Sequence, residues 1–544
     1  MIARVWSARA TRERAADYAE HLRTHVLPAL KAVDGYRGVR LWQRPIAADV
    51  EIVVVTYWDS LDSVRGFAGE EIEQAVVADD AAALLSEFDD RVRHFELVVA
   101  DDAEVEREVS SGRLPEIAPT PGDTEWFVRD RFGLFVHWGL YALPARHEWV
   151  KNRERIRDED YQKYFDHFDP DLYDPAAWAR IAKQAGMRYA VLTTKHHEGF
   201  CLWDSALTDY KATNTPAGRD LVRPWVDAFR AEGLRIGFYH SLIDWHHPEF
   251  PVDFHHPQRD DEEYKAANAN RDVRKYAEYL HGQVRELMTQ YGKIDILWLD
   301  FSYPRAPWGK KGRDDWLSEA LCRTIRELQP GILLNDRMDL PEQSDLATPE
   351  QWQPRGWVTS NGKPAVWEAC QTLTGSWGYD RDNLDWKSPE LLVKLLIDSI
   401  SKGGNLLLNV GPNARGEFEP RAVRTLAEIG EWTRLHGRSI YGATMSEFTP
   451  PPDGRYTQRG DRLYLHLFSW PYGHVHLDGL QGRVEYAQFL HDGSEVRFAG
   501  GDDPFSRVSD LVAARREETK TVSFNLPVQR PDVLVPVIEL FLRK

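Results

Sequence analysis

Hydrophobic runs in the middle of this sequence repeatedly end in side chains that bind hydroxyls or move protons. Asp300 follows Ile296, Leu297, Trp298 and Leu299 in DILWLDF. His137 follows LFV, Lys195, His196 and His197 close YAVLTTKHH, and Tyr239 and His240 lie in RIGFYHS. Asn335 and Arg337 end GILLNDR, Glu368 lies in AVWEACQT, and Asn409 in NLLLNVG. One such buried polar group is usually just a satisfied part of a core. Seven runs in series, each giving way to polar side chains where a strand would meet a loop, point to a shared site.

The chemistry these residue types offer first is glycoside hydrolysis, which needs one carboxylate as nucleophile or base and a second as proton donor. Asp300, in a hydrophobic wall, suits the nucleophile if nearby donors keep it ionised. For the donor, Glu350 sits in the loop string SDLATPEQW and Glu368 at a strand end; the residues themselves leave both open. A metal site is the competing reading, given 19 histidines. Adjacent His196 and His197 would face opposite sides of a strand and share an ion only beyond its end. No HxxxH or HExxH spacing accompanies them, so neutral histidines bonded to hydroxyls are the simpler role and neither metal nor cofactor is expected. GxGxxG, P-loop and GxSxG strings are absent.

Positioning such residues requires parallel strands with helices between them. Over residues 123–445 strand-like runs alternate with helical stretches such as PAAWARIAKQAG, LVRPWVDAFRAEG and RKYAEYLHGQVRELMTQYG. That alternation predicts a (β/α)8-like TIM barrel, whose catalytic groups lie at the strand C-termini. Residues 446–544 change to period-two strands, predicting an antiparallel β-sandwich. Residues 1–100 read as β-α-β-β-α-β, a ferredoxin-like α+β domain, and the acidic, then Pro-rich stretch 101–122 reads as a linker. The chain is thus expected to be multidomain.

Composition narrows the partners. A net charge of −18 argues against nucleic acid or an anionic membrane, both of which need a basic face. Sugars are neutral and remain compatible, and 20 Trp and 21 Tyr supply aromatic faces, most of them for core packing. Three scattered cysteines make no disulfide framework. MIARVWSARATRERAADY has no apolar h-region, so a reduced, cytoplasmic protein is expected.

From residue 122 onward the chain resembles the α-L-fucosidases of glycoside hydrolase family 29. The likeness rests on RFGLFVHWGLYALP, HEWV, AGMRYAVLTTKHHEGFCLWDS, IGFYHSLIDWHHPEF, DILWLDF, NDR, TPEQ, WEACQTLTGSWGYD and LIDSISKGGNLLLNVGP. It implies a retaining mechanism on terminal α-L-fucosyl groups, with Asp300 as nucleophile and Glu350, in the TPE-like string, as acid/base; Glu368 is the reserve. It further implies sugar contacts at His137, Glu148, Trp149, His196, His197, Tyr239 and Arg337, with Trp377 beside the C6 methyl. Two departures bear on pocket shape: HHEGF places Glu198 where the family commonly has Asp, and Val150 follows the EW pair where an aromatic is more usual. WDSLDSVRGFAG gives residues 1–100 a looser likeness to antibiotic-biosynthesis-monooxygenase-like dimeric α+β barrels, implying a homo-oligomer paired through that domain. It is not a usual component of the fucosidase family. With the missing secretory signal, it suggests an intracellular task on a small fucosylated compound. The alternatives are a transglycosylase, a glycosidase for a related sugar such as an α-L-galactoside, a non-catalytic fucose-binding protein, and an N-terminal oxygenase with the barrel secondary.

Overall fold

The structure, a computed structural model, describes residues 2–31, 33–46, 49–96, 114–305, 310–499 and 520–543. Most of the expected linker, residues 101–113, lies outside them. The chain divides into two compact units, Met1–Ala103 and Glu104–Lys544.

In the first unit, β1 (Ile2–Thr11), β2 (Tyr36–Ile46), β3 (Asp49–Trp58), β4 (Glu87–Phe88) and β5 (Arg93–Glu96) form an antiparallel sheet in the order β2-β3-β1-β4, with β5 also pairing β1. Helical turns over residues 12–31 connect β1 to β2. Thr11 starts them by accepting the Arg14 N–H on its hydroxyl, which satisfies one of the open donors of a helix start. Period-two alternation sends Trp6, Ala8 and Ala10 to the buried face of β1, against Tyr18 and Leu22.

In the second unit a parallel sheet runs in the order β10-β9-β8-β7-β6-β14-β13. Its strands are β6 (Phe132–Val136), β7 (Tyr189–Lys195), β8 (Arg235–Ser241), β9 (Ile296–Asp300), β10 (Leu333–Leu334), β13 (Glu368–Thr372) and β14 (Asn405–Val410); β11 (Thr359–Ser360) and β12 (Lys363–Pro364) form a separate hairpin. Helices such as Pro175–Gln184, Val222–Ala231, Val273–Gln290 and Pro389–Ser401 separate the strands. The two edges, β10 and β13, are joined through residues 346–350. Leu346 bridges Asn335 just beyond β10, Ala347 bridges Trp367, and Glu350 bridges Cys370, all in parallel sense. The sheet therefore curls so far that one irregular segment spans its two edges.

The curl separates two cores. Phe135, Tyr189, Val191, Tyr239, Ile296, Trp298, Leu333 and Leu407 form the inner cluster; Leu134, Leu192, Phe238, Leu297 and Leu299 face the helices in the outer one. Along β9 this alternation explains the opening pattern. Ile296 and Trp298 point inward, so Asp300, two residues on, falls at the mouth of the curl.

The remaining strands are β15 (Gly454–Arg459), β16 (Arg462–Leu467), β17 (His474–Leu477), β18 (Val484–Phe489), β19 (Phe498–Ala499), β20 (Val522–Asn525) and β21 (Val537–Leu542). They form two antiparallel sheets, β15-β16-β21-β18 and β17-β20-β19, whose inward residues share one core including Leu463, Leu477, Phe524 and Ile538. The expected run VLVPVIELFL pairs only from Val537, because Pro536 has no N–H to give a ladder.

Candidate active site

At the mouth of the curled sheet, Asp300 is 8% exposed and its two oxygens each hold a donor. Tyr239 Oη donates to Oδ2 at 2.7 Å and Arg337 Nη1 to Oδ1 at 3.0 Å. The same Nη1 donates to Glu350 Oε2 at 2.6 Å. Arg337 is itself fixed: Nε donates to the Thr348 hydroxyl and Nη2 to the Thr348 carbonyl, both at 3.1 Å. Its guanidinium also lies over the Trp298 ring, 5.1 Å from the centroid. The two carboxylate oxygens cannot be farther apart than the sum of their distances to the shared nitrogen. That limit lies just above the about 5–5.5 Å of retaining pairs and below the about 6.5–9.5 Å of inverting ones.

Both acids are followed by a non-glycine residue in the left-handed region, Phe301 at φ 86° and Gln351 at φ 58°. Such conformations cost about 1–3 kcal/mol and persist only where the surroundings enforce them. Here they turn the chain sharply after each carboxylate. Phe301 packs its ring against His197 and Trp149.

A cavity of about 110 Å³ opens beside the pair, lined by His137, Trp149, His196, His197, Tyr239 and Trp377 as well as Asp300, Arg337 and Glu350. Phe135, Trp298, Phe301 and Cys370 complete it; these four apolar or weakly polar residues were not singled out as site residues from sequence. His196 and His197 both reach the cavity because β7 ends at Lys195, and its register with β8 shifts between Thr193 and Lys195. That bulge frees the pair from strict alternation.

The imidazole tautomers follow from their outer partners. His137 Nδ1 lies 2.7 Å from Asn409 Oδ1, while Asn409 Nδ2 donates to the Trp377 carbonyl at 2.6 Å. The amide orientation is thereby assigned, His137 carries its proton on Nδ1, and Nε2 is an acceptor. His197 Nδ1 lies 2.7 Å from Ser241 Oγ, whose own proton goes to the Ile243 carbonyl at 2.7 Å. His197 Nε2 is likewise an acceptor, 4.0 Å from Asp300 Oδ2, too far for a hydrogen bond. His196 Nδ1 is buried and has no hydrogen-bond partner among the described residues. Burial lowers the pKa of His137 to about 4 and pushes His196 and His197 well below their ordinary value, so all three are neutral.

Glu148 is not in the cavity wall. Its Oε2 accepts the Gly378 N–H at 2.8 Å and the Trp377 N–H at 3.1 Å, which anchors the loop that presents Trp377. Among the described residues its buried Oε1 has no hydrogen-bond partner, although His147 Nδ1 is 3.1 Å away. Burial raises its pKa to about 7. Glu198 is also off the wall, held by Tyr161 Oη and the Leu140 N–H. Val150 is buried in the outer core. Lys195 and His240 point away from the site, Lys195 to Asp244 at 3.1 Å and His240 to Thr194. Asn335 bonds the Leu299 backbone on both sides.

Glu368 corrects a sequence expectation. It begins β13 rather than ending it, so it enters the sheet opposite the mouth, with no exposure. Tyr189 Oη and Trp298 Nε1 each donate to one of its oxygens at 2.8 Å. Both oxygens are committed and it does not line the cavity, which removes the geometry a proton donor needs.

The profile of the alpha-L-fucosidase family matches residues 116–438. The chain belongs to this family. Alpha-L-fucosidase isoenzyme 1 from Paenibacillus thiaminolyticus is 48% identical, with a TM-score of 0.72 over 77% of this chain and 99% of that one. A family 29 alpha-L-fucosidase from Bacteroides thetaiotaomicron, trapped as a covalent intermediate with 2-fluoro-fucosyl fluoride, is 26% identical with a TM-score of 0.66, covering 80% and 99% of the two chains. Tissue alpha-L-fucosidase of Bos taurus is 29% identical over 373 residues, 64% of this chain and 75% of that protein. All but one of the strings that carry the likeness supply a residue of the cavity wall, and the last supplies Asn409 behind His137.

Two outcomes follow. Asn409→Leu strips His137 of its proton acceptor and frees the Trp377 carbonyl; leaving such buried groups unmade costs about 1–3 kcal/mol. Since each 1.4 kcal/mol is roughly tenfold, kcat/KM is expected to fall about 5- to 150-fold; an unchanged value would contradict the tautomer assignment. Burial raises the Glu368 pKa to about 7 from an ordinary 4.5, so between those values the folded chain keeps a proton the unfolded chain has released. Its stabilising effect is full below about pH 4.5 and is lost as pH rises through 7. Glu368→Gln is expected to flatten the pH 5–8 slope of the melting temperature while retaining most activity; a steep kcat loss would restore Glu368 as acid/base.

Proposed function

We propose that this member of the fucosidase family hydrolyses terminal α-L-fucosyl glycosides with retention, through a fucosyl ester of Asp300. The observation that carries the reading is the single Arg337 nitrogen shared by Asp300 and Glu350. Asp300, held by Tyr239 and Arg337, attacks the anomeric carbon while Glu350 protonates the leaving oxygen. Ester formation consumes the charge of Asp300 and leaves Arg337 paired with Glu350 alone. Glu350 then takes a proton from the water that cleaves the ester. The side chain of Glu350 is 39% exposed, consistent with access to a leaving group and to water.

Binding follows from the same cavity. The Nε2 atoms of His137 and His197 accept hydrogen bonds from sugar hydroxyls, His196 suits a further polar contact, Glu148 acts by anchoring the loop that carries Trp377, and Trp149 and Trp377 offer apolar surface to the C6 methyl. The parallel sheet with its edge-bridging segment supports reading residues 123–445 as a (β/α)8-like barrel, and the paired antiparallel sheets support a sandwich over 446–544. The order β2-β3-β1-β4 supports a ferredoxin-like unit at 1–100. Half-exposed β2, with Trp42 at 51% exposure, supports self-association there, and among the described residues no helix is long and apolar enough to cross a membrane.

Hydrolysis of p-nitrophenyl α-L-fucoside tests the two acids separately. Asp300→Ala is expected to lose turnover, azide restoring it only as the inverted fucosyl azide. Glu350→Ala should lower turnover by about 10²–10⁴-fold, with azide giving the retained product. An unimpaired Glu350→Ala, or no wild-type turnover, would overturn the assignment.

A further inference from the structure

Alternation along β1 places Arg4 on the same buried face as Trp6, Ala8 and Ala10. A core position occupied by an arginine breaks the local pattern, and such breaks mark functional sites more often than packing needs. Its strand neighbours are Thr56 on β3 and His94 on β5; neither carries a negative charge. Arg4 is 6% exposed. One nitrogen, Nη2, donates to the Gln74 carbonyl at 2.8 Å, Nε is buried without a hydrogen-bond partner among the described residues, and the Phe67 ring lies 5.6 Å from the guanidinium. Among the described residues it has no ion pair, and burial lowers its pKa to about 10 with no carboxylate to offset the effect. A buried charge without its counter-charge is costly to keep.

Arg4 does not face packed protein. It lines a cavity of about 270 Å³ between the sheet and the helical segment, together with Trp6, Tyr18, Leu22, Val54 and Phe67. Among the described residues the one carboxylate on the wall is Asp80, and it faces His21, 3.8 Å away and stacked on His25. The cavity therefore combines aromatic and aliphatic walls with a cation lacking an anion. We propose that it binds a small aromatic carboxylate, whose ring packs on Trp6, Tyr18 and Phe67 and whose oxygens accept from Arg4. This site lies wholly within the first unit and is independent of the fucosidase reading. Arginine favours carboxylates because its planar fork makes short, charge-assisted bonds.

Titration calorimetry on the full chain, with 1-naphthoate and its neutral isostere 1-naphthamide as probes, tests this. Naphthoate is expected to bind once per chain and at least about tenfold more tightly than naphthamide, the scale of a charge-assisted bond. Arg4→Met should erase that preference. Ala81→Phe, which keeps Arg4 but fills the cavity, should weaken both probes by tenfold or more. Fucoside hydrolysis should be unchanged in either variant. No naphthoate binding, equal binding of the two probes, an unaltered preference in Arg4→Met, or displacement of naphthoate by a fucose-like inhibitor would each overturn the proposal. Retained naphthoate affinity in Ala81→Phe would do the same.

Discussion

One guanidinium nitrogen placed between two carboxylates governs the geometry of the mouth. Arg337 Nη1 reaches Asp300 from one side and Glu350 from the other, while Thr348 and the Trp298 face fix the rest of the side chain. The shared donor holds one oxygen of each acid within hydrogen-bonding distance, so their separation stays short. The backbone arrangement serves the same end: Asp300 ends a regular strand, whereas Glu350 sits in the segment that bridges β10 to β13. Sheet curvature therefore sets the spacing of the pair.

Around this charged centre the remaining polar side chains are neutral. Burial keeps His137, His196 and His197 uncharged, and Asn409 and Ser241 fix two of the three rings with their free nitrogen toward the cavity. A neutral sugar gains specificity from such fixed acceptors because a substrate lacking the matching hydroxyl leaves them unpaired. Local strain at Phe301 and Gln351 is confined to the turns that present the two acids.

Much of this was legible in the sequence where periodicity is simple. Ile296, Trp298 and Asp300 follow the strand repeat, and so do Phe135 with His137, so their inward placement needs no tertiary information. Glu350 was not legible from pattern, since its segment makes isolated bridges without a ladder; the family likeness supplied it. Glu368 misled because AVWEACQT reads as one strand, while the pairing begins only at Glu368, which puts its side chain at the strand entry and leaves Thr372 at the mouth. The roles of Asn409 and Ser241 arise from contacts between distant strands, which leave no local signal. Arg4 shows the converse, a break in alternation visible in ARVWSARA whose meaning needed the cavity behind it.

The most direct measurement is mass-spectrometric peptide mapping after incubation with 2-fluoro-fucosyl fluoride, which slows breakdown of a glycosyl ester. The account predicts one fucosyl adduct per chain, on Asp300, accumulating further in Glu350→Ala. A label on any other residue, or continued turnover through an unlabelled enzyme, would contradict it.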